Sequence, residues 1–421
     1  MAYTEVKTTT YGQQVKNSFG GIGTGFVLFI GATVLLWWNE GRAVHTAQDI
    51  AEMGKNAQHV DNISSLDASL NGQLVHVNGT TATSDVLTDG MFGVSVNAIS
   101  LSRDVEYYQW VEHSHTETKE KLGGTKEEVT TYTYEREWVS SPVNSSSFKD
   151  PEYKSVNSVI ATVDDERYLA QKVTLGAYTM PEQMISRLSY MNKHNVELTL
   201  TYDALDALDN QIIDMQPVTE QSQLRAAKAS LGESAQSLAF VHQEGNTLYI
   251  GRNSNSPAVG DMRITFTQAD PCDISLVAVV DGNTFTTYKT KNGSNDTFLH
   301  QGNKTLEQMV ETEEQGNSIL TWVLRVLGVI LVCSGLKGIF SILSTLLKVV
   351  PALSTVLNWG VSLVCNIVGF AWSLVVIALA WIFYRPVLGI CLLVVAAALV
   401  YFLAIKGKGK KPEVVEAPKA E

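Results

Sequence analysis

The side chains best suited to chemistry in this 421-residue chain are two histidines spaced two positions apart. His113 and His115 lie on a stretch with the alternation of a β-strand, so both rings point to one face, with Glu117 in the same row. Imidazole is a common zinc ligand, but a zinc site needs three or four ligands. No third ligand is identifiable near them, so solvent-facing strand residues are the favoured interpretation. We predict no metal site and keep His113 and His115 as weak candidates.

Acidic residues recur at every third position in Asp203, Asp206 and Asp209, which places them on one face of a helix. This is not the spacing of a calcium-binding EF-hand loop, and a solvated acidic face is the default interpretation. The polar part of the sequence has no P-loop, GxGxxG, GxSxG or HExxH motif. The sequence therefore predicts no catalytic residue, no cofactor and no enzyme activity.

Charge divides the chain into unlike parts. The net charge is −12, and residues 39–318 hold 39 of the 43 acidic residues but only 20 of the 31 basic ones. The remaining basic residues lie in apolar runs and in the two tails. No basic stripe is present to meet phosphates, which argues against a nucleic-acid partner. The 45% hydrophobic content argues against a disordered chain.

Apolar runs predict four membrane-spanning helices, one N-terminal and three C-terminal. A helix of about 20 apolar residues crosses a bilayer, and the spans are predicted at residues 19–38, 319–340, 361–383 and 387–405. The last two form a helical hairpin, because Pro386 cannot continue a helix and disfavours helix in the residue before it. Residues 341–360 contain Lys348 and Pro351 and are predicted to be an interfacial link.

Lysines predict the orientation. Both the N-terminal tail, residues 1–18, and the C-terminal tail, residues 406–421, carry lysine and should face the cytoplasm. Residues 39–318 then form a periplasmic or lumenal domain. A helical stalk over 43–60, a long hairpin over 105–138 and strands at 94–102, 196–202, 262–266 and 274–280 predict an α+β domain rich in antiparallel strands.

Two sets of residues in the membrane are candidates for binding. Gly21 and Gly25 form a GxxxG pair that lets another helix approach closely, which suggests helix association and self-association. Four basic residues are assigned to lipid headgroup contact, because the spans hold no acidic partner for an ion pathway: Arg325, Lys337, Lys348 and Arg385.

Six segments, in order along the chain, carry a family likeness: SFGG at Ser18–Gly21, WNEGRAV at Trp38–Val44, VEYYQWVEH at Val105–His113, VGDMRITF at Val259–Phe266, LTWVLRVLG at Leu320–Gly328 and WIFYRPV at Trp381–Val387. With them the chain resembles the transmembrane protein 43 family, also called LUMA. The resemblance implies a four-pass protein with one large lumenal or periplasmic loop and brings no catalytic residues. Animal members are associated with the endoplasmic reticulum and inner nuclear membrane, where self-association and organisation of complexes with emerin and lamins are implied. For bacterial relatives only a general role in membrane organisation carries over.

The leading hypothesis is an integral membrane scaffold, a homo-oligomer whose partners are membrane lipids and other membrane proteins. One alternative is a membrane-anchored enzyme or processing factor acting on lipids or envelope proteins. Another is a channel or transporter subunit. The expected location is the bacterial inner membrane for a prokaryotic source, and the endoplasmic reticulum or inner nuclear membrane for a eukaryotic one.

Overall fold

A computed structural model describes residues 3–121, 125–230, 240–346 and 351–386. These residues form two compact units. The strand-rich unit contains residues 3–8, 51–119, 127–230 and 240–313. The helical unit contains residues 9–50, 120–121, 125–126, 314–346 and 351–386.

Three helices in the described residues are long and apolar enough to cross a membrane: Tyr11–Asn56, Leu306–Ile339 and Trp359–Tyr384. The helices are α1 (Tyr11–Asn56), α2 (Glu182–Leu188), α3 (Tyr202–Met215), α4 (Val218–Ser230), α5 (Leu306–Ile339), α6 (Ser341–Leu346) and α7 (Pro351–Tyr384). The first three predicted spans coincide with stretches of α1, α5 and α7. The fourth, at 387–405, lies outside the described residues, as do Lys348 and the C-terminal tail.

The described residues of the predicted interfacial link at 341–360 are helical. Residues 341–346 form the short helix α6, and α7 begins at Pro351 and continues without a break into the third apolar stretch. Pro351 lies within α7 as described, and proline is tolerated in the first turn of a helix, where its missing N–H costs no hydrogen bond. Helix α1 continues past the predicted span to Asn56, through most of the predicted helical stalk at 43–60.

The strand-rich unit contains two main sheets. The strands are β1 (Tyr3–Thr9), β2 (Gln58–Val60), β3 (Leu74–Thr83), β4 (Val86–Asp89), β5 (Val94–Asn97), β6 (Ser100–Lys121), β7 (Thr125–Val139), β8 (Glu166–Leu169), β9 (Val173–Leu175), β10 (Tyr178–Thr179), β11 (Lys193–Asn195), β12 (Val241–Glu244), β13 (Thr247–Ile250), β14 (Met262–Ala269), β15 (Asp273–Asp281), β16 (Thr284–Thr286), β17 (Tyr288–Lys289), β18 (Asn295–Asp296) and β19 (Phe298–Gln301).

The first sheet runs β1-β7-β6-β14-β13-β12, with β8 beside β6 and β11 beside β14. β14 alternates between buried and half-buried residues because one face packs on a core that includes Phe266 and Ile264. Helix α3 adds Ile212 and Ile213 to the same core. The predicted long antiparallel hairpin is thus present as β6 and β7.

The second sheet runs β19-β15-β16-β10-β9-β3-β2, and an added pairing between β15 and β3 closes five of its strands into a ring. β15 is buried through most of its length, since it pairs with β3 on one edge and with β16 and β19 on the other. A second core fills this sheet, with Leu276 and Leu175 among its fully buried members.

One strand prediction is wrong, because the segment 196–202 is not a strand. The chain pairs with β14 only over Lys193–Asn195, and α3 begins at Tyr202 with Thr201 as its N-cap. The segment 196–200 is irregular, and its alternating apolar residues pack against the first sheet, where Val196 and Leu198 are part of the core.

The N-terminal tail is not a free tail. Tyr3–Thr9 form β1 and satisfy the edge of β7, and the Tyr3 and Tyr132 rings lie 6.1 Å apart. The predicted tail of residues 1–18 therefore holds a strand paired with β7 and the start of α1.

Candidate functional site

The helical unit contains a buried ion pair between α1 and α5. Glu40 is only 1% exposed, and its two carboxylate oxygens accept hydrogen bonds from Arg325, with Nε at 2.6 Å and Nη2 at 2.8 Å. The indole Nε1 of Trp381 on α7 donates a third hydrogen bond to Glu40, at 2.7 Å. A bidentate pair with an added donor compensates a buried carboxylate for the loss of water.

Arg325, which is predicted to contact lipid headgroups, also has a carboxylate partner, Glu40, that the prediction did not include. Its side chain is 14% exposed, and the guanidinium lies 4.9 Å from the Trp322 ring centre and 5.5 Å from that of Trp381. A cation near an apolar helix finds its strongest partner in a carboxylate on a neighbouring helix, and aromatic rings add cation–π attraction. The sequence pattern missed this pair because its partners are 285 positions apart.

A second layer of polar contacts joins the same two helices. The Asn39 amide donates to the carbonyl of Thr321 at 3.0 Å, and the Arg42 guanidinium donates to the Thr321 hydroxyl at 2.8 Å and to Asn317 at 3.0 Å. In return Asn317 donates to the carbonyl of Ala43 at 2.9 Å. The segments WNEGRAV, LTWVLRVLG and WIFYRPV, far apart in the sequence, thus meet at one place.

A cavity of about 380 Å³ opens beside the ion pair. Its walls include Ala47 on α1, Glu314 and Trp322 on α5, and Trp381 on α7, followed by Arg385. Arg385 is half-buried. The cavity combines aromatic rings with charges of both signs, so it suits a small polar ligand better than an apolar one.

The predicted glycine pair lies at a contact between helices of the same chain. A side chain at Gly25 would place its Cβ 2.5 Å from the Ile339 backbone nitrogen and 2.7 Å from the Gly335 carbonyl oxygen. A Cβ at Gly21 would lie 3.1 Å from the Ser341 hydroxyl. The face is therefore covered by α5 and α6, and self-association would have to use another surface. Lys337, near the end of α5, is exposed.

The structure does not bring His113 and His115 into one group of potential ligands. His113 Nε2 lies 2.6 Å from Glu137 on the neighbouring strand β7, and His113, Glu135 and Glu137 bring one potential ligand atom each within 4.8 Å of one another. His115 is not part of this group. The cross-strand carboxylates were missed because strand register, rather than local spacing, brings them to His113.

The acidic row on α3 is not wholly solvated, contrary to its prediction. Asp209 is fully buried and accepts hydrogen bonds from the Phe240 and Val241 backbone N–H groups, at 2.6 Å and 3.2 Å. Lys228 on α4 lies between Asp209, at 3.0 Å, and Asp206, at 2.7 Å. These hydrogen bonds and ion pairs connect α3 to α4 and to the start of β12.

A histidine pair that sequence reasoning missed lies where β2 follows α1. The Nδ1 atoms of His59 and His76 are 2.9 Å apart, and His76 Nε2 lies 3.1 Å from the carbonyl oxygen of Lys304, just before α5. Burial of His76, which is 2% exposed, and the nearby His59 lower the pKa of His76. At most one of the two facing nitrogens carries a proton in such a contact.

A larger cavity, of about 680 Å³, lies in the strand-rich unit beside the irregular segment after β11. Its walls are mostly small or aliphatic residues, with His194 and Glu197 as its titratable groups. It brings together no set of groups comparable to those around Glu40.

Comparison with known proteins agrees with the family likeness. The sequence model of the family described as transmembrane protein 43 matches residues 107–386. The human protein named transmembrane protein 43 is 28% identical, over 96% of this chain and 94% of its own length. The mouse protein of that name is 29% identical, over 89% and 87%, and the Drosophila melanogaster homologue is 26% identical, over 89% and 91%. No solved structure matches the chain.

Proposed function

We propose, from the premise that this chain belongs to the transmembrane protein 43 family, that it is a non-enzymatic membrane scaffold. In this role the helices hold the chain in the membrane, and the strand-rich unit self-associates and gathers membrane proteins or lipids. The observation that carries the proposal is an open strand edge on the hairpin of β6 and β7.

The open edge results from the unequal lengths of neighbouring strands. β6 has 22 residues, but β14 pairs with it only over Ser100–Tyr107. The loop residue Asn157 then bonds both backbone groups of Trp110. From Glu112 to Lys119, no strand among the described residues pairs with β6 on the side away from β7. The side chains at 113–119 are all exposed.

An exposed edge of this kind is a template for another strand. Its free N–H and C=O groups can pair with an added strand, and charged residues along it discourage unspecific pairing. Glu117 and Lys119 supply such charges. The edge therefore favours a partner with complementary charges in the matching register.

A second copy of the same edge supplies that complementarity. The N–H and C=O of Tyr108 bond away from β7, to Asp261 and Gly260, so by strand alternation those of Thr118 also point to the open edge. Antiparallel pairing of two copies centred on Thr118 places Glu117 of each opposite Lys119 of the other. Each such pair contributes about 0.2–1 kcal/mol, and two-fold symmetry supplies it twice.

Disulfide trapping tests this register. In the proposed dimer the two Thr118 positions form a hydrogen-bonded pair with a Cα separation of about 5.5 Å, which a disulfide can bridge. The Thr118→Cys variant of the full chain in lipid nanodiscs should give a covalent dimer on mild oxidation. Thr133→Cys, at an exposed position of β7, is the matched control and should remain monomeric on a denaturing gel.

Charge exchange gives a second, independent test. Glu117→Lys and Lys119→Glu should each shift the protein towards monomer in native mass spectrometry from lipid, and the double exchange should restore the dimer. A strictly monomeric wild-type protein at micromolar concentration, or equal trapping at positions 118 and 133, would refute self-association through this edge.

A further inference from the structure

The cavity beside Glu40 lies where the apolar parts of three helices end. The apolar run of α1 ends at Trp38, that of α5 begins at Ile319, and that of α7 ends near Phe383. The cavity residues Trp322 and Trp381 lie within about one turn of these limits. Tryptophan favours the membrane–water interface, the level of lipid headgroups.

The charges that face this cavity are balanced. Arg325 is paired with Glu40, so the pair adds no net charge. Arg385 and Glu314 remain, and neither has an ion pair within the ranges that the structure describes. One free cation and one free anion in the same cavity suit a ligand that carries both charges.

The other walls fit the rest of such a ligand. The hydroxyl of Ser318 can donate a hydrogen bond to an ester or phosphate oxygen, and the faces of Trp322 and Trp381 offer apolar contact beside the charges. A volume of about 380 Å³ is at the small end of ligand pockets, large enough for a headgroup but not for two acyl chains. The exposed apolar residues Leu320, Val323 and Phe383 are nearby and would contact the acyl chains of the lipid, which remain in the bilayer.

We propose that this cavity binds the headgroup of a zwitterionic phospholipid, with the phosphate on Arg385 and the ammonium group on Glu314. Arginine binds phosphate through several donors, and a carboxylate is the natural partner of an ammonium. The buried pair of Glu40 and Arg325 holds α1, α5 and the end of α7 together around the site. The site is complete within one chain, so it is independent of the self-association proposed above.

Lipid titration of the delipidated full chain in detergent, followed by native mass spectrometry, tests the proposal. The probes are phosphatidylcholine, anionic phosphatidylglycerol and phosphate-free diacylglycerol, with inorganic phosphate as a soluble competitor. We expect phosphatidylcholine to bind about tenfold more tightly than phosphatidylglycerol, since loss of one hydrogen bond to a charged group is worth about that factor. Diacylglycerol should bind weakly, and phosphate alone should not displace the bound lipid.

Variants assign the two charges. Arg385→Gln should weaken phosphatidylcholine binding about tenfold, and Glu314→Gln should remove the preference over phosphatidylglycerol. Lys337→Gln, on α5 but outside the cavity, and Glu311→Gln, one turn before Glu314, are the matched controls and should bind lipid as the wild type does.

A steric variant keeps the test decisive if a charge variant fails to fold. Ala47→Leu adds volume at the cavity wall without a change of charge and should lower phosphatidylcholine binding at least tenfold while the melting temperature is retained. Equal binding by Ala47→Leu and wild type, equal binding of the two phospholipids, or displacement by inorganic phosphate alone would each overturn the assignment.

Discussion

Removal of the Arg325 side chain should destabilise the helical unit more than any other single charge deletion there. In Arg325→Met the carboxylate of Glu40 keeps only the Trp381 indole as a donor, at 2.7 Å, and loses two hydrogen bonds from the guanidinium. Breaking a buried ion pair by removing one partner typically costs about 3–5 kcal/mol. We expect a loss of that size in the free energy of unfolding.

The reverse deletion should cost less. Glu40 is 1% exposed and Arg325 is 14% exposed, so a cation left behind after Glu40→Gln retains some water and both neighbouring tryptophan rings. The side-chain amide introduced by this substitution also keeps a carbonyl oxygen that can accept one hydrogen bond from Arg325. We expect a loss of about 2 kcal/mol.

The assay is unfolding of the full chain in mixed micelles by added sodium dodecyl sulfate, followed by tryptophan fluorescence. The double variant Glu40→Gln/Arg325→Met should lose less than the sum of the single losses, with a coupling of at least about 1 kcal/mol. Lys337→Met, at an exposed position near the other end of α5, is the control and should change stability by less than about 0.5 kcal/mol. Strictly additive single losses, or an Arg325→Met loss equal to that of the control, would refute the role given to this pair.

Three further predictions concern single sites. The pKa of His76 is lowered from 6.5 in the folded chain, so as the pH falls the unfolded chain takes up this proton before the folded chain does. The free energy of unfolding, measured by urea denaturation, should therefore decrease as the pH drops below about 6.5. The decrease should be smaller in His76→Asn. Gly25→Leu should lower stability in mixed micelles by about 1–3 kcal/mol by overpacking against α5, whereas Gly23→Leu, with open space around it, should be near neutral; equal effects would contradict the contact. Asp209→Ala should cost about 2 kcal/mol in urea denaturation by leaving two buried backbone amides without an acceptor, and an unchanged midpoint would argue against those hydrogen bonds.

Much of the fold was predictable because it depends on local pattern. Apolar runs of about 20 residues identified the stretches within α1, α5 and α7, and alternation with turn signals identified the hairpin of β6 and β7. The residues at which helices begin and end were harder to predict. Pro351 contributed to the prediction of an interfacial link, yet it lies in α7, and proline is compatible with the first turn of a helix as well as with a link.

The candidate site was less predictable, because its members meet only after the helices pack. The sequence placed Arg325 near the end of a span and Glu40 just beyond another, and it did not indicate that the two meet. Packing of α1 against α5 through Gly25 brings the two helices close enough to pair those charges. Asp209 is a second example, because the regular spacing of Asp203, Asp206 and Asp209 on α3 did not reveal that Asp209 is buried.

Composition and periodicity by themselves determined that this is a membrane protein with an acidic, strand-rich domain, because burial in lipid and strand alternation act on neighbouring residues. Tertiary structure alone decided which charges are paired, which strand covers the β7 edge and which part of β6 stays open. The physical reason is that the partner of a charged group or of a strand edge is the group that the folded chain brings next to it, wherever that group lies in the sequence. For Glu40 and Arg325 that group comes from 285 positions away.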